Sequence, residues 1–179
     1  MEQRESEKTC SVEAIKETLS FIRAHSTIRF VALPFFLGAS ALIANKFLGS
    51  NTAPIDLLLA TSALGLSVVG AVVEVILSRN LIAWWHALRP LLDANPPWQV
   101  VAAHRDGRAL KAARWALFAP YPASFCFWLF ECVGLVLRAP AGIAPERHRI
   151  AVGLIAVTVS LAMCLAANRV WRAAATSPR

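Results

Sequence analysis

The sequence predicts an all-α integral membrane protein. Four transmembrane helices carry both termini on the cytoplasmic side, with a cytosolic amphipathic helix before the first span and a cytosolic helical extension after the second. Three observations predict this class. Hydrophobic residues make up 57% of the 179-residue chain, against about 45–50% in soluble domains, and the mean hydropathy is +0.54. The apolar residues fall in four blocks: Phe30–Leu48 with Lys46 as its one charge, Leu57–Leu77 with Glu74, Trp115–Leu137 with Glu131, and Ile150–Asn168 with none. Each block is about as long as a helix must be to cross a hydrocarbon core of about 30 Å. Buried helices of a soluble bundle would carry a polar face, and these blocks do not. Third, with spans at about 28–49, 56–78, 115–137 and 150–169 and the termini inside, fourteen of the eighteen basic residues lie on the inner side, leaving only Lys46, Arg138, Arg147 and Arg149 outside. That is the positive-inside bias. It accounts for the net charge of +7 through topology and attraction to anionic headgroups, so no nucleic-acid partner is expected.

Residues 1–179 are read as one membrane domain. The first 26 residues carry Glu2, Glu5, Glu7, Glu13 and Glu17 and no apolar core segment, so a cleavable signal peptide is not expected. Within 11–26, Val12, Ile15, Leu19 and Ile22 share one helical face, with Glu13, Lys16, Glu17 and Arg23 on the other. Ser11 suits an N-cap. This helix is expected to lie on headgroups or to dock on a partner subunit. Pro34 predicts a bend in span 1. The short connection "GSNTAP" makes spans 1 and 2 an antiparallel hairpin, and Asp56 suits the positive end of the second helix.

The helical pattern continues past span 2 through "SRNLIAWWHALRPLLDA", where Leu81, Trp84, Leu88 and Leu91 share a face, until "NPPW" stops it. The cytosolic segment 79–114 is the largest region outside the membrane. Trp84, Trp85, Trp115 and Trp171 are placed as interfacial anchors. Pro120 and Pro122 interrupt the backbone ladder of span 3. Small and polar residues at helical spacing mark packing faces: Ala63, Ser67 and Ala71 on span 2, and Ala156, Ser160, Cys164 and Asn168 on span 4. Contacts within one chain and between copies would both produce these stripes.

Intramembrane carboxylates are costly and are usually paired or functional. Glu131 stands in the outer half of span 3, on one face with Ser124 and Arg138, and Lys46 is at similar depth, so Lys46 or Arg138 is its expected basic partner. Glu74 stands in the inner half of span 2, near the depth of Arg29, Arg79 and Arg114. Each acid either pins helix register or lines an ion pathway. The cysteines, Cys10, Cys126, Cys132 and Cys164, form no C-x-x-C pair, and no span has a histidine in its core. Neither a metal site nor haem, nor any other cofactor, is expected.

Arg79-Asn80 followed by His86 resembles the R-x(4–6)-H signature of HEPN ribonucleases, in which Arg and His serve acid–base cleavage of RNA. The resemblance covers eight residues at the membrane edge. The same residues read as a basic interfacial side chain and an unrelated histidine on one helix, and that reading is adopted over the ribonuclease motif. With little chain left for a catalytic domain, the expected function is non-enzymatic and rests on assembly with other copies or with a larger membrane complex. Two forms are expected: a channel or pore lined from Glu131, Ser124 and Glu74, or an accessory or assembly subunit. The expected location is a bacterial inner membrane.

Overall fold

The computed structural model describes residues 2–50, 52–95, 98–99, 107–136 and 145–176. They form five helices: α1 (Glu2–Gly49), α2 (Ala53–Asp93), α3 (Gly107–Phe118), α4 (Pro120–Val136) and α5 (Pro145–Thr176). Four helical stretches, Val12–Gly49, Pro54–Asp93, Lys111–Val136 and Arg149–Thr176, are long and apolar enough to cross a membrane.

The amphipathic segment and span 1 are not two helices but one. Nothing in "RAHSTIRF" breaks a helix: it has neither Gly nor Pro. Its hydroxyls are satisfied along the helix itself, Ser26 donating to the Ile22 carbonyl at 2.8 Å and Thr27 to that of Arg23 at 3.0 Å, the usual way helical Ser and Thr satisfy themselves. The helix also continues through Pro34. At 1.5 Å per residue α1 is about 72 Å long and α2 about 61 Å, twice what a bilayer core needs. Most of the segment 79–114 is likewise helix. α2 runs to Asp93, where Ala94 caps it and the Asn95 side chain donates to the Leu91 carbonyl at 2.7 Å, and α3 begins at Gly107.

α2 is the central element and packs on each of the other four helices. α1 lies at the edge, held mainly by α2, with Phe36 against Tyr121 and Phe47 against Trp128 reaching α4. The α1–α2 hairpin follows a seven-residue repeat. On α1 the inward positions are Ile15, Ile22, Arg29, Phe36 and Ile43. On α2 they are Ala60, Ser67, Glu74, Leu81 and Leu88, all buried. Arg29 meets Glu74. One heptad away, Ile22 and Leu81 share a hydrophobic cluster, which Ile15 and Leu88 extend at the next heptad. In the other direction Ile43 and Ala60 belong to one cluster with Trp128.

α3 and α4 are nearly one helix. The break is confined to Ala119, because neither Pro120 nor Pro122 has an N–H to donate. On both sides the ladder holds, Ala119 N–H to the Trp115 carbonyl at 2.8 Å and Ala123 N–H to the Ala119 carbonyl at 3.2 Å. α5 returns along α4, with Ser160 bonded to the Pro122 carbonyl near its middle and Trp171 against Phe118 near its end. The helices therefore alternate in direction. The start of α1 and the ends of α2 and α5 lie at one end of the bundle, and α1 and α2 project there as a two-helix stalk.

Candidate functional site

The polar groups of the bundle concentrate in one layer at the base of the stalk. Glu74 is 3% exposed and accepts three hydrogen bonds. Arg29 approaches as a fork, Nη2 to Oε1 and Nε to Oε2, the latter at 3.2 Å, and the Ser78 hydroxyl donates to Oε1 at 2.9 Å. Planar bidentate pairing is what a guanidinium offers and an ammonium does not. Tyr121 from α4 stands in the field of both charges, its ring against Phe36 at 4.5 Å between centroids. From α3, Arg114 lies over the indole of Trp171 at 5.3 Å and is repelled by the charge of Arg29. Five helices thus contribute to one layer.

Its depth follows from counting along the helices. Arg29 is twenty residues from Gly49, Glu74 twenty-one from Ala53 and Arg114 twenty-two from Val136. Each distance is about 30 Å, one hydrocarbon thickness. If the far ends of these helices meet one headgroup layer, the Arg29–Glu74 layer meets the other.

Among the residues singled out by sequence, Glu74 enters this layer, and Arg29 is the one of its three candidate cations that pairs with it. Arg79 is exposed on α2. Glu131 is different: it is half-buried on α4, and among the described residues it makes no ion pair or side-chain hydrogen bond. The expected bridge to Lys46 is not formed. Lys46 is exposed on α1, a helix held mainly by α2 and barely reaching α4. Arg138, the other expected partner, lies outside the described residues.

Ser124 is hydrogen-bonded across to α2. Its hydroxyl lies 2.9 Å from that of Ser67, which in turn donates to the Ala63 carbonyl at 2.8 Å. A hydroxyl has one proton to give, so Ser124 is the donor in the pair and ties α4 to α2. Ala63, Ala71 and Ala156 are buried, and Ser160 donates to the Pro122 carbonyl at 3.2 Å. Cys164 packs half-buried against the cluster around Trp171, and Asn168 is half-buried one turn beyond it. These stripes therefore face neighbours in the same chain.

The tryptophans divide. Trp171 is 2% exposed, inside the bundle, edge-on to Trp115 at 5.1 Å and to Phe118 at 5.3 Å. Trp84 is half-buried on the stalk, with His25 edge-on at 4.2 Å and Phe21 at 5.8 Å, and Trp85 packs beside the stalk core. Arg79 and His86, the pair of the ribonuclease-like motif, are exposed on α2.

Ser78 and Tyr121 are members of the layer that composition and periodicity do not single out. A usable signal exists in the common heptad register of Arg29 and Glu74 with the aliphatic residues before and after them. No family model matches the chain, and no curated protein or solved structure is significantly similar to it.

Proposed function

We propose that the chain is a non-enzymatic accessory or assembly subunit of a larger membrane complex, inserted with both termini in the cytoplasm. One observation carries this reading: the polar groups of the spans are largely consumed inside the chain. Glu74, Ser67, Ser124 and Ser160 all bond to neighbouring elements of the same bundle. The faces that look outward are aliphatic and aromatic, including Phe30, Phe35 and Leu42 on α1 and Val69, Val72 and Ile76 on α2. A pathway for ions needs unspent polar groups along its length. A subunit that docks needs a rigid shape, and here the stalk supplies it. It carries its charges on the outside, with Glu13, Lys16, Glu17 and Arg23 exposed on α1 and Arg89 and Asp93 on α2. The inner-side excess of basic residues supports a cytoplasmic stalk.

The test is the mass of the particle extracted from native membranes in mild detergent. A single copy travelling with a different protein is the expected result. A closed ring of identical copies overturns the accessory role in favour of a channel or pore. That second reading rests on Glu131, a carboxylate within the third span that has no ion pair among the described residues. For a channel, Glu131→Gln abolishes ion flux in reconstituted vesicles and leaves the assembly intact, and unchanged flux removes the reading.

A further inference from the structure

Among the described residues, the layer at the base of the stalk is one anion short, with two guanidinium groups and one carboxylate. Glu74 is spent: both of its oxygens accept from Arg29, and one also accepts from Ser78. Arg114 has no acidic partner among the described residues. It is half-buried, backed by the Trp171 indole and repelled by Arg29. The Nη1 group of Arg29 makes no hydrogen bond among the described residues. The indole N–H of Trp171, buried in the same layer, has no acceptor among the described residues. A half-buried cation without a counter-charge is unfavourable, and with the far ends of the helices at one headgroup layer, this one stands about 30 Å away at the other. The anion abundant at that depth is the phosphate of a lipid headgroup, which a guanidinium recognises with two parallel hydrogen bonds.

We propose that Arg114, with the free edge of Arg29 beside it, binds a phosphate group at the base of the stalk, and that an anionic phospholipid supplies it. Trp171 backs the Arg114 guanidinium at 5.3 Å, and the pair with Glu74 holds the second cation, Arg29, in the same layer. The site requires that the chain span a membrane but not that it serve as an accessory subunit, so the two readings fail separately.

The experiment uses the full chain purified in mild detergent, with bound lipid counted by native mass spectrometry and affinity read from the thermal transition as lipid is added. The probes are phosphatidylglycerol, phosphatidylcholine and inorganic phosphate. Wild type is expected to bind phosphatidylglycerol about tenfold more tightly than phosphatidylcholine, the scale of one charge-assisted hydrogen-bonded contact. Arg114→Gln loses that preference. Lys111→Gln, which removes an exposed charge one turn away, keeps it. Arg114→Lys retains the charge but loses the fork and the stacking, so it shows a reduced preference even if the Gln variant does not fold. Equal affinity for the two lipids in wild type, or equal losses in Arg114→Gln and Lys111→Gln, overturns the site. Competition by inorganic phosphate at concentrations that match the lipid's effect overturns the lipid and assigns the site to free phosphate.

Discussion

Replacing Arg29 by Ala isolates the energetic role of the central ion pair. The substitution strips Glu74 of two of its three hydrogen bonds and of its counter-charge while leaving it 3% exposed, with only the Ser78 hydroxyl as partner. Removing one member of a buried pair costs about 3–5 kcal/mol, because the other charge remains buried and uncompensated. Glu74→Ala strands Arg29 in the same way, and its side chain is 12% exposed. Replacing both by Leu removes the two charges together and extends the aliphatic contact that Ile22 and Leu81 make one heptad away. Swaps of that kind are near neutral or stabilising. Arg29→Leu and Glu74→Leu strand the same charges as the Ala variants, and with them as its single variants the double-mutant cycle is strongly non-additive. For a chain of this length about 2–4 °C of Tm corresponds to 1 kcal/mol. Each single variant should then lose about 6–20 °C, while the double Leu variant stays near wild type. The assay is thermal unfolding of detergent-solubilised protein followed by the loss of helical circular dichroism. Single losses that add to within about 0.5 kcal/mol in the double variant would refute the pairing.

Two glycines of α2 should respond oppositely to Ala. A Cβ at Gly70 would stand 2.5 Å from Tyr121 Cδ1 and 3.4 Å from Phe36 Cδ2, whereas one at Gly65 meets nothing within 4 Å. Gly70→Ala should destabilise by about 1–3 kcal/mol through overpacking and Gly65→Ala should stabilise by up to about 1 kcal/mol through helix propensity, both read as shifts in Tm. Leu88→Ala opens a cavity at a fully buried stalk position and should cost about 2–5 kcal/mol locally. Limited proteolysis will then cut within residues 12–26 while the spans stay intact, and unchanged cleavage counts against the stalk. Ser67→Ala removes the Ser67–Ser124 bond and should cost only about 0.6 kcal/mol, the average for an interhelical bond in a membrane.

How much of this arrangement is legible in the sequence depends on the kind of signal each feature leaves. The four spans are written in composition and need no tertiary information. The amphipathic face of Val12, Ile15, Leu19 and Ile22 is also legible, but its partner is not. The repeat that joins it to span 1 passes through Ser26 and Arg29, and those polar residues make one continuous helix look like two. Glu74 is conspicuous as a charge in an apolar block, yet three arginines stand at its depth, and only the packing of α1 on α2 selects Arg29. Glu131 shows the converse failure. Lys46 matches it in depth, but depth is one coordinate. The two residues sit on helices that meet mainly through other side chains, so a vertical match makes no contact.

In the proposed insertion, one face of α2 serves two solvents. On the stalk side of Glu74 its inward residues are large, Leu81, Leu88 and Leu92, and they meet Ile15 and Ile22 of α1. On the far side they are small, Ala60, Ala63, Ser67 and Ala71. The change follows from what drives association in each medium. In water, burying a large aliphatic side chain is worth about 1.5–3 kcal/mol, so the stalk is held by size. In lipid that term vanishes, because acyl chains are as apolar as leucine. Close backbone approach between small residues and interhelical hydrogen bonds take its place, which is where the Ser67–Ser124 bond and the tight contact at Gly70 belong. The Arg29–Glu74 pair stands at the changeover. There neither force is at full strength, so a directional, two-pronged bond contributes most to register. A slip of one heptad would set both charges against uncharged residues, Arg29 against Leu81 and Glu74 against Phe36 in one direction, Arg29 against Ser67 and Glu74 against Ile22 in the other. A buried uncompensated charge costs more than the few small contacts that such a slip preserves, so one ion pair fixes the alignment of helices that extend about 30 Å to either side of it.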